Sequence, residues 1–313
     1  MEVFEHIDEI EQAAPTVITI GNFDGLHLGH MRIIQDVLST ADRYEAASAV
    51  MSFDPHPSAF FNPAKAPAML TTPLTKQRLL AEAGIEMLII QPFDEEFAAL
   101  DPEKFVEEIL LEKIGAVAVI VGANFLFGRD QSGDLGLLAE MGLRLGFEAQ
   151  GIEAETAQGK PISSTWIRDC LQMGDLELAN QLLGRNYELE GLVVKGSGRG
   201  TDLGFPTANM DGIQTMIPAD GIYAAMAVVR GESYPSAVYI GSRPTFKDQR
   251  AVEVHLIDRK KELYDEKIAI HFHTRIREDK KFDDPKSLTA QIAADVAAAR
   301  HLLSSGNSAD TNG

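Results

Sequence analysis

The spacing of apolar residues changes once along the chain, near residues 183–186, and this change limits the possible folds more than any other feature. Before it, apolar runs typical of buried strands occur at Thr16–Ile20, Ala46–Phe53, Met87–Phe93 and Ala116–Val121. Segments with helical spacing lie between or after these runs, at Gly29–Tyr44, Thr75–Ala83, Pro102–Lys113 and Leu135–Leu145. Such alternation predicts an α/β doubly wound domain with a parallel sheet.

After this change, the chain shows short strands separated by turns. The strands are predicted at Tyr187–Val194, Ile222–Val229, Ser236–Ile240, Val252–Ile257 and Lys267–Ile276, and one amphipathic helix at Pro285–Leu303. This pattern predicts a small β-barrel that the C-terminal helix closes. A length of 313 residues fits two domains, so we expect a first domain at 1–184, a second at 185–303 and a disordered polar tail at 304–313.

The charge and cysteine content of the chain limit the kinds of partner and the compartment that we expect. The chain has 47 acidic and 28 basic residues, and its formal net charge of −19 opposes binding to nucleic acid or to an anionic membrane. Cys170 is the only cysteine, which excludes an intramolecular disulfide or a cysteine-based zinc cluster and fits a reducing compartment. Met1–Gln12 is acidic, unlike a secretory signal, and no apolar run reaches the roughly 18 residues that a membrane helix needs. We expect a cytoplasmic protein with small-molecule partners, without nucleic-acid or membrane binding.

The segment after the first predicted strand, Gly21–His30, reads Gly-Asn-Phe-Asp-Gly-Leu-His-Leu-Gly-His. In open α/β sheets, ligands bind where a strand ends and a helix begins. Glycines allow the backbone to approach a phosphate closely, and the N–H groups of a helix N-terminus stabilise its charge. His27 and His30 are therefore candidate phosphate contacts. Capping of the helix is the simpler interpretation of a lone histidine here, and a zinc site would need further ligands nearby.

His27-Leu28-Gly29-His30 resembles the His-x-Gly-His signature of nucleotidyltransferases, and the whole Gly21–His30 segment resembles the longer form found in bacterial FAD synthetases. The resemblance implies transfer of an adenylyl group from ATP to FMN, with Mg²⁺ bound to the phosphates. It implies that His27 and His30 neutralise the charge that grows during transfer. It also implies nucleotide contacts for four residues of the loop, namely Gly21, Phe23, Asp24 and Gly29.

Three more segments agree with the FAD synthetase family in the same order. They are Ser52–Pro57, Val121–Gly128 and Ile162–Arg168. In the first, a plain proline turn explains His56 equally well. In the second, Asn124 follows a predicted strand and is implied to contact the substrates. The third opens a helix in which Ser164 and Thr165 are implied to bind the β- and γ-phosphates, with Arg168 supplying positive charge.

The second half carries a glycine-rich stretch from Gly196 that ends in Gly204-Phe205-Pro206-Thr207-Ala208-Asn209. A dinucleotide-binding fingerprint is a weak interpretation, because we predict no helix after these glycines. A turn satisfied by its own backbone is the simpler interpretation of an isolated Pro-Thr-Ala-Asn. The stretch resembles the Gly-Phe-Pro-Thr-Ala-Asn motif of riboflavin kinases. This resemblance implies that Thr207 and Asn209 hold the Mg²⁺ of Mg·ATP, with Gly196 and Gly204 beside the nucleotide.

Further segments follow in the order of the riboflavin kinase family, namely Gly221–Tyr223, Ile240–Phe246 and Glu253–Asp258. Glu253 and His255 share one face of a predicted strand. The 5′-hydroxyl of riboflavin is a weak nucleophile, so a carboxylate that accepts its proton is useful, and Glu253 is our candidate base. A solvated strand carboxylate is the alternative. His271 and His273 also share a strand face, and we assign them no site.

The two resemblances together predict a bifunctional enzyme that converts riboflavin to FMN and FMN to FAD, with ATP as co-substrate in both steps. Four positions depart from the family patterns, at Asn124, Gln131, Thr201 and Asp265. Two alternatives stay open on the sequence alone: a flavin-binding regulatory module without turnover, and an enzyme with a single active domain.

Overall fold

The structure is a computed structural model that describes residues 1–196, 199–242, 250–259 and 263–306. The chain forms two compact units, Met1–Ser163 and Ser164–Gly313. Among the described residues, no helix combines the length and the apolar character needed to cross a membrane.

The first unit contains ten strands and six helices. The strands are β1 (Glu2–Phe4), β2 (Thr16–Ile20), β3 (Ala47–Asp54), β4 (Met87–Pro92), β5 (Ala116–Gly122), β6 (Leu126–Phe127), β7 (Gly133–Asp134), β8 (Glu148–Ile152), β9 (Thr156–Ala157) and β10 (Lys160–Pro161). The helices are α1 (Leu28–Tyr44), α2 (Pro57–Phe61), α3 (Pro73–Glu82), α4 (Glu95–Ala98), α5 (Pro102–Lys104) and α6 (Leu135–Leu145). A wider helix with i→i+5 hydrogen bonds, Phe105–Ile114, continues α5, and short 3₁₀ turns lie at Ile7–Glu9, Pro63–Lys65 and Arg129–Gln131.

Six of these strands form one parallel sheet in the order β1-β4-β3-β2-β5-β8. The chain proceeds outward from β2 through β3 to β4, and then crosses back so that β5 pairs with the other side of β2. This reversal is the topological switch point where α/β sheets bind ligands, at the carboxyl ends of the strands. The segment Gly21–His30 follows β2, and Asn124 follows β5, so both lie at this switch point.

Alternate residues of the sheet enter two separate apolar clusters because successive strand side chains point to opposite faces. Ile18 and Val119 belong to one cluster with the Phe105–Ile114 helix, whereas Val17 and Ile120 belong to the other with α1. Both faces of the sheet are therefore covered, as the doubly wound prediction requires.

The second unit begins with two helices and continues into a barrel. Its helices are α7 (Ser164–Met173), α8 (Leu176–Leu183), α9 (Arg199–Asp202) and α10 (Pro285–Gly306). Its strands are β11 (Tyr187–Val194), β12 (Ala208–Asp211), β13 (Gly221–Val229), β14 (Glu232–Ser242), β15 (Arg250–Leu256) and β16 (Lys267–Arg277). These strands form a closed antiparallel barrel in the order β11-β12-β15-β14-β13-β16.

Helix α10 closes the barrel on one side. Its residues Val296, Ala299 and Leu303 pack against Ala224 and Ala237 of two barrel strands. The predicted small barrel with a closing helix is confirmed. Helix α10 continues to Gly306, so the first three residues of the tail predicted at 304–313 are helical, and the rest of that tail lies outside the described residues.

The structure corrects one local expectation. Sequence analysis predicts no helix after the glycines at 196–200, yet α9 forms a single turn there. Its end is fixed because the Phe205 N–H donates to the Gly200 carbonyl and the Gly204 N–H donates to the Thr201 carbonyl, at 2.8 and 3.1 Å. One turn is too short for the helix of a dinucleotide-binding fold, so the argument against that fold stands.

Candidate active sites

His27 and His30 form a stacked pair at the start of α1. The His27 ring is 5% exposed and caps the helix, because its Nδ1 accepts a hydrogen bond from the His30 backbone N–H at 3.3 Å. The two ring centroids are 3.7 Å apart and the ring planes differ by 15°. The capping interpretation therefore holds for His27, which also lies against His30 at a helix N-terminus, and the phosphate contact of the pair stays a prediction.

The loop before the pair has a restricted backbone. Phe23 has a φ of 48°, in the left-handed region, and its buried ring lies 5.1 Å from the His30 ring. A side chain at Gly29 would place its Cβ 3.2 Å from the His27 ring, so glycine allows the close approach there. The Gly21 N–H donates to the Met51 carbonyl at 3.0 Å. These contacts restrict the shape of the loop.

Asp24 ties the loop to the chain that precedes α3. Its carboxylate, 7% exposed, accepts hydrogen bonds from the backbone N–H groups of Leu70 at 2.9 Å and Thr71 at 3.1 Å. The Thr71 hydroxyl also donates to Asp24 at 3.2 Å and accepts from the Gly25 N–H at 3.2 Å. These described contacts of Asp24 fix the loop, and the predicted contact with nucleotide stays a prediction.

Lys76 on α3 is a second tie that sequence analysis missed. Its ammonium donates to the Asn22 carbonyl at 2.7 Å and to the Ser52 hydroxyl at 2.9 Å. Burial lowers the pKa of Lys76 below its ordinary 10.5, while the carboxylates of Asp24 and Asp54 act in the opposite direction. The available signal was a lysine four residues before the buried Leu80, on the same helix face.

The remaining predicted residues of the first half divide between the two units. Asn124 is exposed at the carboxyl end of β5, and the neighbouring Phe125 stacks on Phe127 with 5.5 Å between the ring centroids. His56 caps α2, because its Nδ1 accepts from the Ser58 N–H at 3.0 Å. The other three lie in the first turns of α7, in the second unit: half-buried Ser164, exposed Thr165 and half-buried Arg168.

In the barrel, the predicted magnesium residues lie beside the predicted base. The Thr207 hydroxyl donates to the Glu253 carboxylate at 3.3 Å. Asn209 and Glu253 are register partners where β12 pairs with β15. A Cβ at Gly196 would lie 2.1 Å from the Asn209 amide nitrogen, so only glycine lets the chain pass that close. Gly204 is exposed, with a φ of +86°.

Thr207, Asn209 and Glu253 line a cavity of about 500 Å³, and Gly204 is not part of its wall. Its wall includes Gly196, Thr207, Asn209, Tyr239, Glu253 and Arg277. Burial, together with the nearby Asp279, raises the pKa of Tyr239 to about 12. The Arg277 guanidinium is held by the buried Asp295 of α10 through two hydrogen bonds of 2.9 and 2.6 Å. Part of the segment Ile240–Phe246 lies outside the described residues.

The oxygen atoms near Glu253 suit a magnesium ion. In the described part of the chain, no three His, Cys, Asp or Glu side chains converge as a metal cage. The cavity wall instead offers the Thr207 hydroxyl, the Asn209 amide and the Glu253 carboxylate, and it also includes Asp279 and Asp295, of which Asp295 is paired with Arg277. Mg²⁺ prefers such hard oxygen donors and takes its remaining ligands from water and nucleotide phosphates, so this donor set fits Mg·ATP better than a metal held by protein alone.

Comparison with known families matches both halves of the chain. The FAD synthetase family matches residues 9–166, and the riboflavin kinase family matches residues 183–303. The bifunctional riboflavin kinase/FMN adenylyltransferase of Pseudomonas fluorescens is 37% identical over 91% of this chain and 92% of that protein. The protein of the same name from Bacillus subtilis is 37% identical over 94% of each chain.

One solved structure is similar over nearly the whole length. It is described as a macrolide-efflux protein from Streptococcus pneumoniae, with a TM-score of 0.86, 27% identity, and coverage of 96% of this chain and 98% of that one. That description corresponds to neither matched family. The family matches, which cover each half separately, decide the assignment.

One unit is doubly wound and has a histidine pair at its switch point, and the other is a barrel whose cavity contains a carboxylate. Together with the family matches, this arrangement indicates a two-domain transferase that acts on phosphate groups. The chain belongs to the family of bifunctional riboflavin kinases and FMN adenylyltransferases. It is an enzyme that combines riboflavin kinase with FAD synthetase.

Proposed function

We propose that the barrel cavity phosphorylates riboflavin and that the Gly21–His30 segment serves the adenylylation of FMN, each step with Mg·ATP. The observation that carries this assignment is the contact between Thr207 and Glu253, 3.3 Å apart in a cavity that Asn209 also lines. A hydroxyl, an amide and a carboxylate placed together supply both halves of a kinase site: ligands for a nucleotide-bound metal and an acceptor for the substrate proton.

In the kinase step, the 5′-hydroxyl oxygen of riboflavin attacks the γ-phosphorus of ATP, and the bond from that phosphorus to the ADP oxygen breaks. The hydroxyl proton passes to the Glu253 carboxylate. Thr207 donates its hydrogen to Glu253, so the carboxylate is oriented as an acceptor before substrate arrives. Thr207 and Asn209 would hold Mg²⁺, which supplies charge neutralisation of the phosphates when bound.

The adenylylation step requires no protein base. A phosphate oxygen of FMN attacks the α-phosphorus of ATP and expels pyrophosphate, and the attacking oxygen already carries charge. The work of the protein is positioning and charge stabilisation. The stacked His27 and His30 and the helix N-terminus of α1 supply it in the first unit. Gly21, Phe23, Asp24, Gly29, Asn124, Ser164, Thr165 and Arg168 complete the proposed set.

We propose that the reactions divide at residue 184, with adenylylation assigned to residues 1–184 and phosphorylation to residues 185–303. The family matches at 9–166 and 183–303 support this division. The packing division falls earlier, because α8 is attached to the barrel: Asn180 accepts from the Tyr187 N–H at 2.7 Å and donates to the Phe272 carbonyl at 2.8 Å. A fragment of residues 164–313 is therefore expected to be more stable to urea than one of residues 185–313, with both phosphorylating riboflavin. A folded fragment 185–313 without kinase activity would refute the proposed division.

The proposal places the enzyme in a reducing cytoplasm, with small molecules as its partners and without nucleic-acid or membrane binding. A single cysteine and a net charge of −19 support it. Fractionation of cells followed by assay of FAD synthesis tests the location. Activity confined to a membrane or secreted fraction would exclude it.

Chromatography of products tests the proposed function. The full chain is incubated with riboflavin and ATP, with excess Mg²⁺ or with EDTA, and a parallel reaction receives FMN in place of riboflavin. We expect FMN and then FAD from riboflavin, FAD from FMN, and neither product with EDTA. FMN alone would mean a single active domain, absence of both products would favour a binding module, and undiminished turnover in EDTA would exclude the magnesium assignment.

A further inference from the structure

His255 lies in the kinase cavity with no part in the chemistry described so far. It follows Glu253 by two residues on β15, so both side chains lie on the same face of the strand. Both line the cavity, while the intervening Val254 is buried in the barrel. His255 is half-buried, so its ring contacts both protein and cavity.

One ring nitrogen of His255 has a defined partner. Its Nδ1 lies 2.9 Å from the Pro206 carbonyl oxygen. A carbonyl only accepts hydrogen bonds, so Nδ1 carries the hydrogen, and a neutral His255 keeps Nε2 without a proton. The ring also meets Phe205 edge to face, with 5.6 Å between the centroids and 74° between the planes.

These contacts act on the residue next to the proposed metal ligand. The β12 ladder begins only at Ala208, so Phe205, Pro206 and Thr207 precede the paired region. Two side chains of β15 hold this stretch: His255 binds the Pro206 carbonyl, and Glu253 binds the Thr207 hydroxyl. Consecutive residues of the motif are thus fixed by side chains two positions apart on one strand.

We propose that His255 is a positioning residue of the kinase reaction, which fixes Thr207 for Mg·ATP by donating from Nδ1 to the Pro206 carbonyl. This inference rests on the proposed role of Thr207 as a magnesium ligand. A bond to the carbonyl of the preceding residue sets the position of the Thr207 backbone, and misplacement of a ligand group by about 1 Å is enough to weaken catalysis strongly.

A matched pair of substitutions tests the role of Nδ1. In His255→Asn, the amide nitrogen takes about the place of Nδ1, whereas in His255→Gln it takes about the place of Nε2. Steady-state kinetics of the full chain with riboflavin and Mg·ATP should show KM for Mg·ATP raised about tenfold in the Gln variant, the usual scale for one lost buried hydrogen bond. The Asn variant should stay within about threefold of the wild type. KM for riboflavin should change little in either.

Three results would overturn the positioning role: equal impairment of both variants, wild-type kinetics in both, or a fall in kcat with KM for Mg·ATP unchanged. Circular dichroism and urea unfolding of the same molecules control for folding of the barrel, and adenylylation of added FMN controls for the first domain. His271→Gln, a half-buried histidine elsewhere in the barrel, is the matched control and should behave as wild type. Thr207→Val separates the positioning role of His255 from the metal-binding role of Thr207. An unchanged KM for Mg·ATP in Thr207→Val would refute the metal assignment of Thr207 itself.

A spectroscopic measurement does not depend on activity. In ¹⁵N-histidine spectra of the full chain, the His255 signals are those missing from His255→Asn. At a pH at which the ring is neutral, the His255 signals should show the hydrogen on Nδ1. A hydrogen on Nε2 would contradict the bond to Pro206 and overturn the inference.

Discussion

The two segments that are proposed to bind phosphate, Gly21–His30 and the motif Gly204–Asn209, are fixed by different groups. In the first unit, two charged groups outside the histidine pair hold the loop: Asp24 accepts from the backbone at Leu70 and Thr71, and Lys76 donates to the Asn22 carbonyl. In the barrel, the holding groups lie within the cavity itself, where Glu253 accepts from Thr207.

The difference follows from the nucleophiles. FMN brings a phosphate oxygen that already carries charge, so a carboxylate beside it would repel the substrate. Riboflavin brings a neutral hydroxyl, so a carboxylate that accepts its proton is an advantage. The described contacts of Asp24 hold the loop, whereas Glu253 is proposed to take the substrate proton.

The largest expected effect is that of removing the proposed base, Glu253. Glu253→Gln keeps the shape of the side chain but cannot take a proton, so FMN formation should fall by roughly 10² to 10⁴. Adenylylation of added FMN should persist at the wild-type rate, as measured by chromatography. A folded variant that phosphorylates riboflavin near normally would exclude Glu253 as the base.

A smaller effect is expected where a glycine makes room for a ligand group. The added Cβ of Gly196→Ala would meet the Asn209 amide nitrogen at 2.1 Å, so that side chain must move. We expect kcat/KM for Mg·ATP in the kinase step to fall by roughly ten- to a hundredfold, with adenylylation of FMN unchanged. Normal kinetics would mean that the position of Asn209 does not matter for ATP use.

Lys76→Met tests the hydrogen bonds that Lys76 donates to the loop of the histidine pair, and it should have the smallest kinetic effect. The substitution removes the bonds to Asn22 and Ser52 while keeping most of the apolar stem. Adenylylation of FMN should slow by about tenfold, the scale of one charge-assisted hydrogen bond, while riboflavin phosphorylation is retained. Lys104→Met, an exposed lysine of the same unit, is the control. Equal rates in the two variants would show that the Lys76 tie is dispensable.

The free energy of unfolding of Lys76→Met should also differ from that of the wild type in its dependence on pH. Because burial lowers the pKa of Lys76 in the folded chain, its charged form costs folding free energy at low pH. That cost disappears as pH rises from the folded pKa toward the unfolded value of 10.5. Urea unfolding should therefore show the wild type gaining stability relative to Lys76→Met through this window. A constant difference would contradict the buried ammonium.

Sequence periodicity predicted the large helices and strands but not the hydrogen bonds that connect them. β2 and β11 have their predicted bounds because their apolar patterns are clear, and the weakly apolar edge strands β1 and β8 were missed. β12 was missed because a motif rich in turn residues continues directly into a strand. Lys76 and His255 contact backbone carbonyls far away in sequence, at Asn22 and Pro206; a local pattern can place each residue on a helix or strand face, but it does not identify such a distant partner.

The most direct test of two separate sites is product analysis of His30→Ala with riboflavin, ATP and Mg²⁺. The substitution removes a ring that stacks on His27 at the proposed adenylylation site and is remote in sequence from the proposed kinase motif. FMN should form at the wild-type rate and accumulate, with little FAD. Formation of FAD at the wild-type rate, or loss of FMN formation in a folded variant, would contradict the separation of the two activities.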